Sequence, residues 1–152
     1  LICEIYSDDA RNAEVKRIDN IPDHPLKSKV WWGRDKQPDA SLEATKLVNA
    51  IAKGGLAIED LEACTRVVAT IWPVNRTSLP YKSGGFRGLI GFYQGVMDDD
   101  FDHRNEEHVE HMRTFNWETV KADATNNSAV AGTTIGAALL AHWNKPKAKL
   151  KK

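Results

Sequence analysis

From residue 41 onward apolar residues recur at helical spacing, whereas the first forty positions show no such period. Ala44, Leu47, Val48 and Ile51 fall three and four apart until Gly54-Gly55 ends the run, with Ser41 placed as its N-cap. Ile58 to Trp72 repeats the pattern with Leu61, Cys64, Val68 and Ile71. Its acids Glu59, Asp60 and Glu62 sit where they favour the helix dipole, and Pro73 stops it. Phe86, Leu89, Ile90, Tyr93, Val96 and Met97 mark a third helix. It keeps Gly88, Gly91 and Gly95, each costing about 1 kcal/mol against alanine, so the spacing predicts close approach of another backbone. A fourth helix is predicted over Asn105 to Phe115. A fifth runs from Ser128 to Trp143, and its uncharged centre, Ala129 to Ala141, predicts the most buried helix of the fold.

The amino-terminal segment reads differently. Leu1 to Tyr6 and Ala13 to Ile18 read as two short strands able to pair. Pro22, Pro25 and Pro38 then keep the chain extended around the apolar island Val30-Trp31-Trp32. The expected architecture is a mainly α, single compact bundle of about five helices. Residues 1–40 form an extended, hairpin-capable arm lying against a helical body at 41–144, and 145–152 form a basic tail. In an extended segment Trp31 and Trp32 point to opposite faces, so one of them is expected to be exposed or to meet a partner.

Composition narrows the classes. The chain has 152 residues, of which 41% are apolar, enough for one real core. Its 21 basic and 21 acidic residues cancel, so attraction to nucleic acid needs a local basic groove. The charge is segregated nonetheless. Seven acids and three histidines crowd Asp98 to His111, while Lys145 to Lys152 holds five lysines and no acid. Cys3 and Cys64 are too few for a zinc site or a disulfide framework, and two packed thiols fit a reducing compartment, the cytoplasm or a virion interior. No stretch predicts a membrane span. The chain opens at Leu1 with no signal-peptide pattern after it, which reads as a trimmed start. Asn75-Arg76-Thr77 and Asn126-Asn127-Ser128 match the glycosylation acceptor, read as chance in that setting.

Three groups of residues bear chemistry. His103, Glu107 and His111 lie at i, i+4 and i+8 and would share a face if one helix ran through all three, giving two imidazoles and a carboxylate for a metal. The zincin spacings do not fit, and no second Glu-x-x-His pair supports a di-iron bundle, so no metal and no cofactor is predicted. Asp98 to Asp102 lacks the sixth-position glycine of a calcium loop and reads as a helix boundary, with Phe101 anchoring the turn to the core. Ser83 to Gly88 is a glycine-rich loop without the Gly-Lys-Ser/Thr of a phosphate loop. Around it Arg66, Arg76, Lys82 and Arg87 converge with Tyr81 and Phe86 interleaved, the composition of a groove for single-stranded nucleic acid.

Two readings follow. One is a non-enzymatic, self-assembling subunit of coat or nucleocapsid type. It would contact single-stranded RNA through Arg66, Arg76, Tyr81, Lys82 and Arg87, and its own copies through Trp31 or Trp32. The other is a metal-dependent enzyme or metal-binding helical domain centred on His103, Glu107 and His111.

Overall fold

A computed structural model describes residues 2–33, 36–97, 101–126 and 128–144. The fold is mainly helical, as the periodicity predicts. Among the described residues the helices are α1 (Ile2–Asp19), α2 (Ala44–Gly54), α3 (Leu61–Ile71), α4 (Ser83–Val96), α5 (Glu106–Arg113), α6 (Lys121–Ala124) and α7 (Ala129–Asn144). A two-residue strand β1 (Val30–Trp31) pairs with β2 (Leu42–Glu43). The basic tail, Asp98 to Asp100, and the side chains of Cys3 and Ile51 lie outside the described residues.

Two of the expected starts are set by side-chain chemistry, and a third is not. Asn105 accepts a hydrogen bond from the Glu107 N–H and so opens α5. Ser128 Oγ accepts from the Ala131 N–H at 3.1 Å and opens α7. Ser41 does not cap α2. It is buried and donates to the Pro38 carbonyl at 2.6 Å instead, while Glu43 holds the cap position.

The amino terminus is helical rather than a strand hairpin. Both predicted strands lie in α1, apart from Leu1, which is outside the described residues. Val15 and Ile18 explain why. Three residues apart, they share one face of a helix, whereas in a strand they would point to opposite faces. Both are buried against the body. Arg17 reaches back to Glu14 at 2.8 Å, a helical i, i+3 pair. The arm does lie against the body, but its strand pairing is another one. β1 and β2 run parallel, with Val30 opposite Leu42 and Trp31 opposite Glu43.

Nor is the stretch around Pro22 and Pro25 extended as expected. It runs through successive turns, with the His24 N–H on the Ile21 carbonyl and the Lys27 N–H on the His24 carbonyl. His24 fastens it to α3. Its Nδ1 accepts from the Leu26 N–H at 3.0 Å, so the proton sits on Nε2, which lies 3.1 Å from both the Glu62 carbonyl and Thr65 Oγ1. Arg113 does the same for α5, donating to the Thr70 and Ile71 carbonyls at the end of α3.

The centre of the fold is α4 rather than α7. Nine of its fourteen residues are buried, against six of sixteen in α7. α7 buries Ala131, Gly132, Ile135, Gly136, Leu139 and Trp143 along one stripe and leaves Val130 75% exposed. Lack of charge makes both faces of α7 look apolar in the sequence, but its outer side is small and threonine-rich. The glycines of α4 do allow close approach, as expected. A Cβ at Gly88 would lie 2.2 Å from Ile135 Cγ2, and Gly91 faces the Cα of Gly136. Phe101 anchors its turn as expected, with its ring 4.9 Å from that of Trp143 and 5.6 Å from that of Phe92.

Candidate nucleic-acid interface

The basic groove expected from the sequence resolves into a smaller cleft with a different membership. Gln37, Leu42, Glu43, Lys46, Arg76, Lys82, Ser83 and Thr125 line a hollow of about 350 Å³ between α2, the 73–82 loop and the start of α4. Three cations face one carboxylate there. Lys46, on α2, has no sequence signal that marks it for this place. It precedes the buried Leu47 and so borders the apolar face, which draws its stem inward.

The loop that carries Arg76 and Lys82 is pinned at several points. Asn75 Oδ1 accepts from the N–H and the hydroxyl of Thr77, at 2.9 and 2.6 Å. That local turn is the structural role of the Asn-Arg-Thr triplet. Ser78 Oγ donates to the Asn75 carbonyl, and Lys46 Nζ donates to the Tyr81 carbonyl at 2.9 Å. Arg76 is held by Asp39, whose carbonyl takes the Arg76 N–H at 2.8 Å and whose carboxylate lies 3.3 Å from the guanidinium. The Nε of Arg76 is buried with no hydrogen-bond partner among the described residues. Burial holds the Lys46 ammonium below its ordinary value. Glu43 opposes that shift and the neighbouring Lys82 charge adds to it.

Other predicted members fall elsewhere. Tyr81 is 1% exposed, donates its hydroxyl to the Trp72 carbonyl and stacks on the buried Phe86 at 6.0 Å. Burial raises its phenol far above the usual range. Neither ring can take a base. An aromatic beside a polar loop reads as a stacking platform because the backbone carbonyl that satisfies its hydroxyl is nine residues away. Arg66 is also outside the cleft. Its guanidinium lies 3.5 Å from Glu62 and 3.7 Å from Asp23, in a cluster that Arg17 joins through Glu62 at 2.6 Å. Arg87 lays its stem over Gly132 of α7.

The glycine-rich segment is not a loop. Ser83 to Gly88 forms the opening of α4, and its glycines serve packing. A Cβ at Gly84 would lie 1.9 Å from the Asp123 carbonyl oxygen, and one at Gly85 would lie 2.0 Å from that of Leu79. No side chain caps this helix start, so its first N–H groups and the positive end of its dipole add to the local potential beside Lys82 and Ser83.

Trp31 is half-buried and Trp32 is 38% exposed, so the expected asymmetry holds. Trp32 is also tied within the chain. Its indole N–H donates to Asp19 at 3.3 Å, and Lys16 Nζ stands 5.8 Å over its ring.

The alternative metal trio does not share a helical face. α5 begins only at Glu106, because Asp102 Oδ1 accepts from the Arg104 N–H in a turn and Asn105 then caps the helix. His103 stays in that turn, where burial holds its imidazole below its ordinary value. Glu107 is exposed. His111 pairs with His142, thirty-one residues on. The rings stack at 4.6 Å, and each Nε2 meets the other residue's carbonyl, at 2.7 and 2.9 Å. A carbonyl only accepts, so both Nε2 atoms carry protons and donate. Among the described residues no three His, Cys, Asp or Glu gather in a form that could hold a metal ion. Cys64 is buried, and burial pushes its thiol up to about 12. No helix among the described residues is long and apolar enough to cross a membrane.

Comparison of the chain with known protein families, curated proteins and solved structures finds no match.

Proposed function

We propose that this chain is a non-enzymatic structural subunit, of coat or nucleocapsid type, that assembles with its own copies and contacts single-stranded RNA. The observation that carries the reading is the cleft in which Lys46, Arg76 and Lys82 face a single lining carboxylate, on a chain with no net charge. Phosphate neutralisation needs such a local concentration of cations. The outer side of α7 supports assembly. Ala129, Val130, Thr133, Thr134, Ala137 and Ala141 are exposed and uncharged on a chain that is 28% charged. Such a side meets no charge repulsion and no desolvation of ions on contact with a second copy.

The test is fluorescence anisotropy with a short labelled single-stranded RNA. Replacing Arg76 and Lys82 together by glutamine should weaken binding by about tenfold or more. It should also flatten the log–log salt dependence by about 1.4, at roughly 0.7 for each phosphate no longer neutralised. Arg66→Gln, which lies outside the cleft lining, should change affinity by less than about twofold. Equal binding by the intact protein and the cleft variant would overturn the reading.

A further inference from the structure

We infer that the cleft holds single-stranded RNA by its sugar–phosphate backbone alone, with no base stacked on the protein, so that affinity is independent of base identity. The inference rests on the RNA reading above and narrows what the cleft recognises.

Recognition of single strands ordinarily combines a cationic groove with aromatic side chains on which bases stack. Here the two components are separated by burial. The lining contains ammonium, guanidinium, hydroxyl, amide and carboxylate groups and one leucine, but no ring. The aromatic residues nearest in sequence to Arg76 and Lys82 are Trp72, Tyr81 and Phe86, and they are 6%, 1% and 2% exposed. Tyr81 and Phe86 spend their faces on each other, and Trp72 is packed edge-on between Phe92 and Trp117.

Among the described side chains the exposed ring that remains a candidate is Trp32. With the half-buried Trp31, it borders a separate hollow of about 170 Å³ that Asn12, Gly33, Ala44 and Thr45 also line, and that adjoins the cleft through Glu43. A strand running from the cleft to Trp32 would have to pass the Glu43 carboxylate and then the Asp19 carboxylate that holds the indole N–H. Both repel phosphates, and Lys16 already stands over the ring. The cations, by contrast, lie within the cleft. Lys46 is fixed by the Tyr81 carbonyl and Arg76 by Asp39, while Lys82 flanks the start of α4. Fixed donors aimed at phosphate oxygens position a strand without reading its bases.

The experiment compares strands of about eight nucleotides, within the span of one binding module. The full chain is titrated with all-uridine RNA, all-adenosine RNA and a strand of the same length with abasic units throughout. The inference expects dissociation constants within about threefold of one another, and a Trp32→Ala variant within about twofold of the intact protein on all three. Each stacked base contributes roughly fivefold or more to affinity. Loss of about tenfold on the abasic strand, or in Trp32→Ala, would therefore overturn the backbone-only inference while leaving RNA binding intact. Failure of all three strands to bind would overturn the RNA reading, and the inference with it.

Discussion

The same substitution at two positions of α4 should move stability in opposite directions. Alanine in place of glycine inside a helix gains about 0.8–1.0 kcal/mol of intrinsic propensity, and that gain is common to Gly88 and Gly91. Their surroundings differ. A Cβ at Gly91 would meet the Gly136 Cα at 3.7 Å, an ordinary contact. A Cβ at Gly88 would lie 2.2 Å from Ile135 Cγ2 and 2.6 Å from Ile135 Cβ, on a side chain with no exposure at all. Ile135 is stiff at χ1 and enclosed, so relief needs α4 and α7 to move apart by roughly 1 Å, at an overpacking cost of about 1–3 kcal/mol or more. Gly91→Ala should therefore stabilise by about 0.5–1 kcal/mol, whereas Gly88→Ala should lose stability or, at best, break even. Subtracting one from the other cancels propensity and leaves the packing difference. Urea unfolding of the two variants measures that difference directly, and about 1 kcal/mol corresponds to a shift of roughly 2–4 °C in Tm for a chain of this size. Variants that agree within about 0.5 kcal/mol would refute the close packing of α4 on α7.

Two further predictions test the fastenings. Burial lowers the His24 pKa in the folded chain, so below the unfolded value of about 6.5 the unfolded state binds more protons. The stability tied to a neutral His24 is complete above about 6.5 and is lost as pH falls from there toward the folded value. The urea midpoint should fall between about pH 7.5 and 5 in the intact protein and fall less in His24→Gln, with a remainder from His103, whose shift has the same direction. An unchanged pH dependence in the variant would contradict the burial of a neutral His24 in the folded chain. For the stacked pair, His111→Ala and His142→Ala should each cost about 1 kcal/mol. The double variant should show a coupling of about 0.5–1.5 kcal/mol, and strict additivity would mean that the rings do not meet.

α2, α3, α4, α5 and α7 are legible in the sequence, and Leu61, Cys64, Val68 and Ile71 declare α3 without any tertiary information, whereas the four-residue α6, which buries only Ala124, is too short to show a period. α1 is not legible, since Val15 and Ile18, the buried pair among the side chains described there, lie on a segment otherwise rich in charge, and their burial against the body favours helix over strand. Arg76 and Lys82 are legible as cations flanking a polar loop. Lys46 is hidden because its place in the cleft depends on how α2 packs beside that loop. Tyr81 misleads because a hydroxyl at the tip of a ring looks like surface chemistry until the Trp72 carbonyl is brought to it. His111 and His142 show the same limit: pairing across thirty-one residues leaves no local spacing to read.

Sedimentation velocity of the full chain tests the proposal that it assembles on single-stranded RNA through the cleft. The protein is run alone and with a single strand several binding sites long, each at low and at high salt. At low salt, particles holding several chains per strand are expected, which dissociate as salt rises and do not form with the Arg76→Gln, Lys82→Gln protein. A single species of monomer mass under every condition, with the RNA sedimenting free, would contradict it.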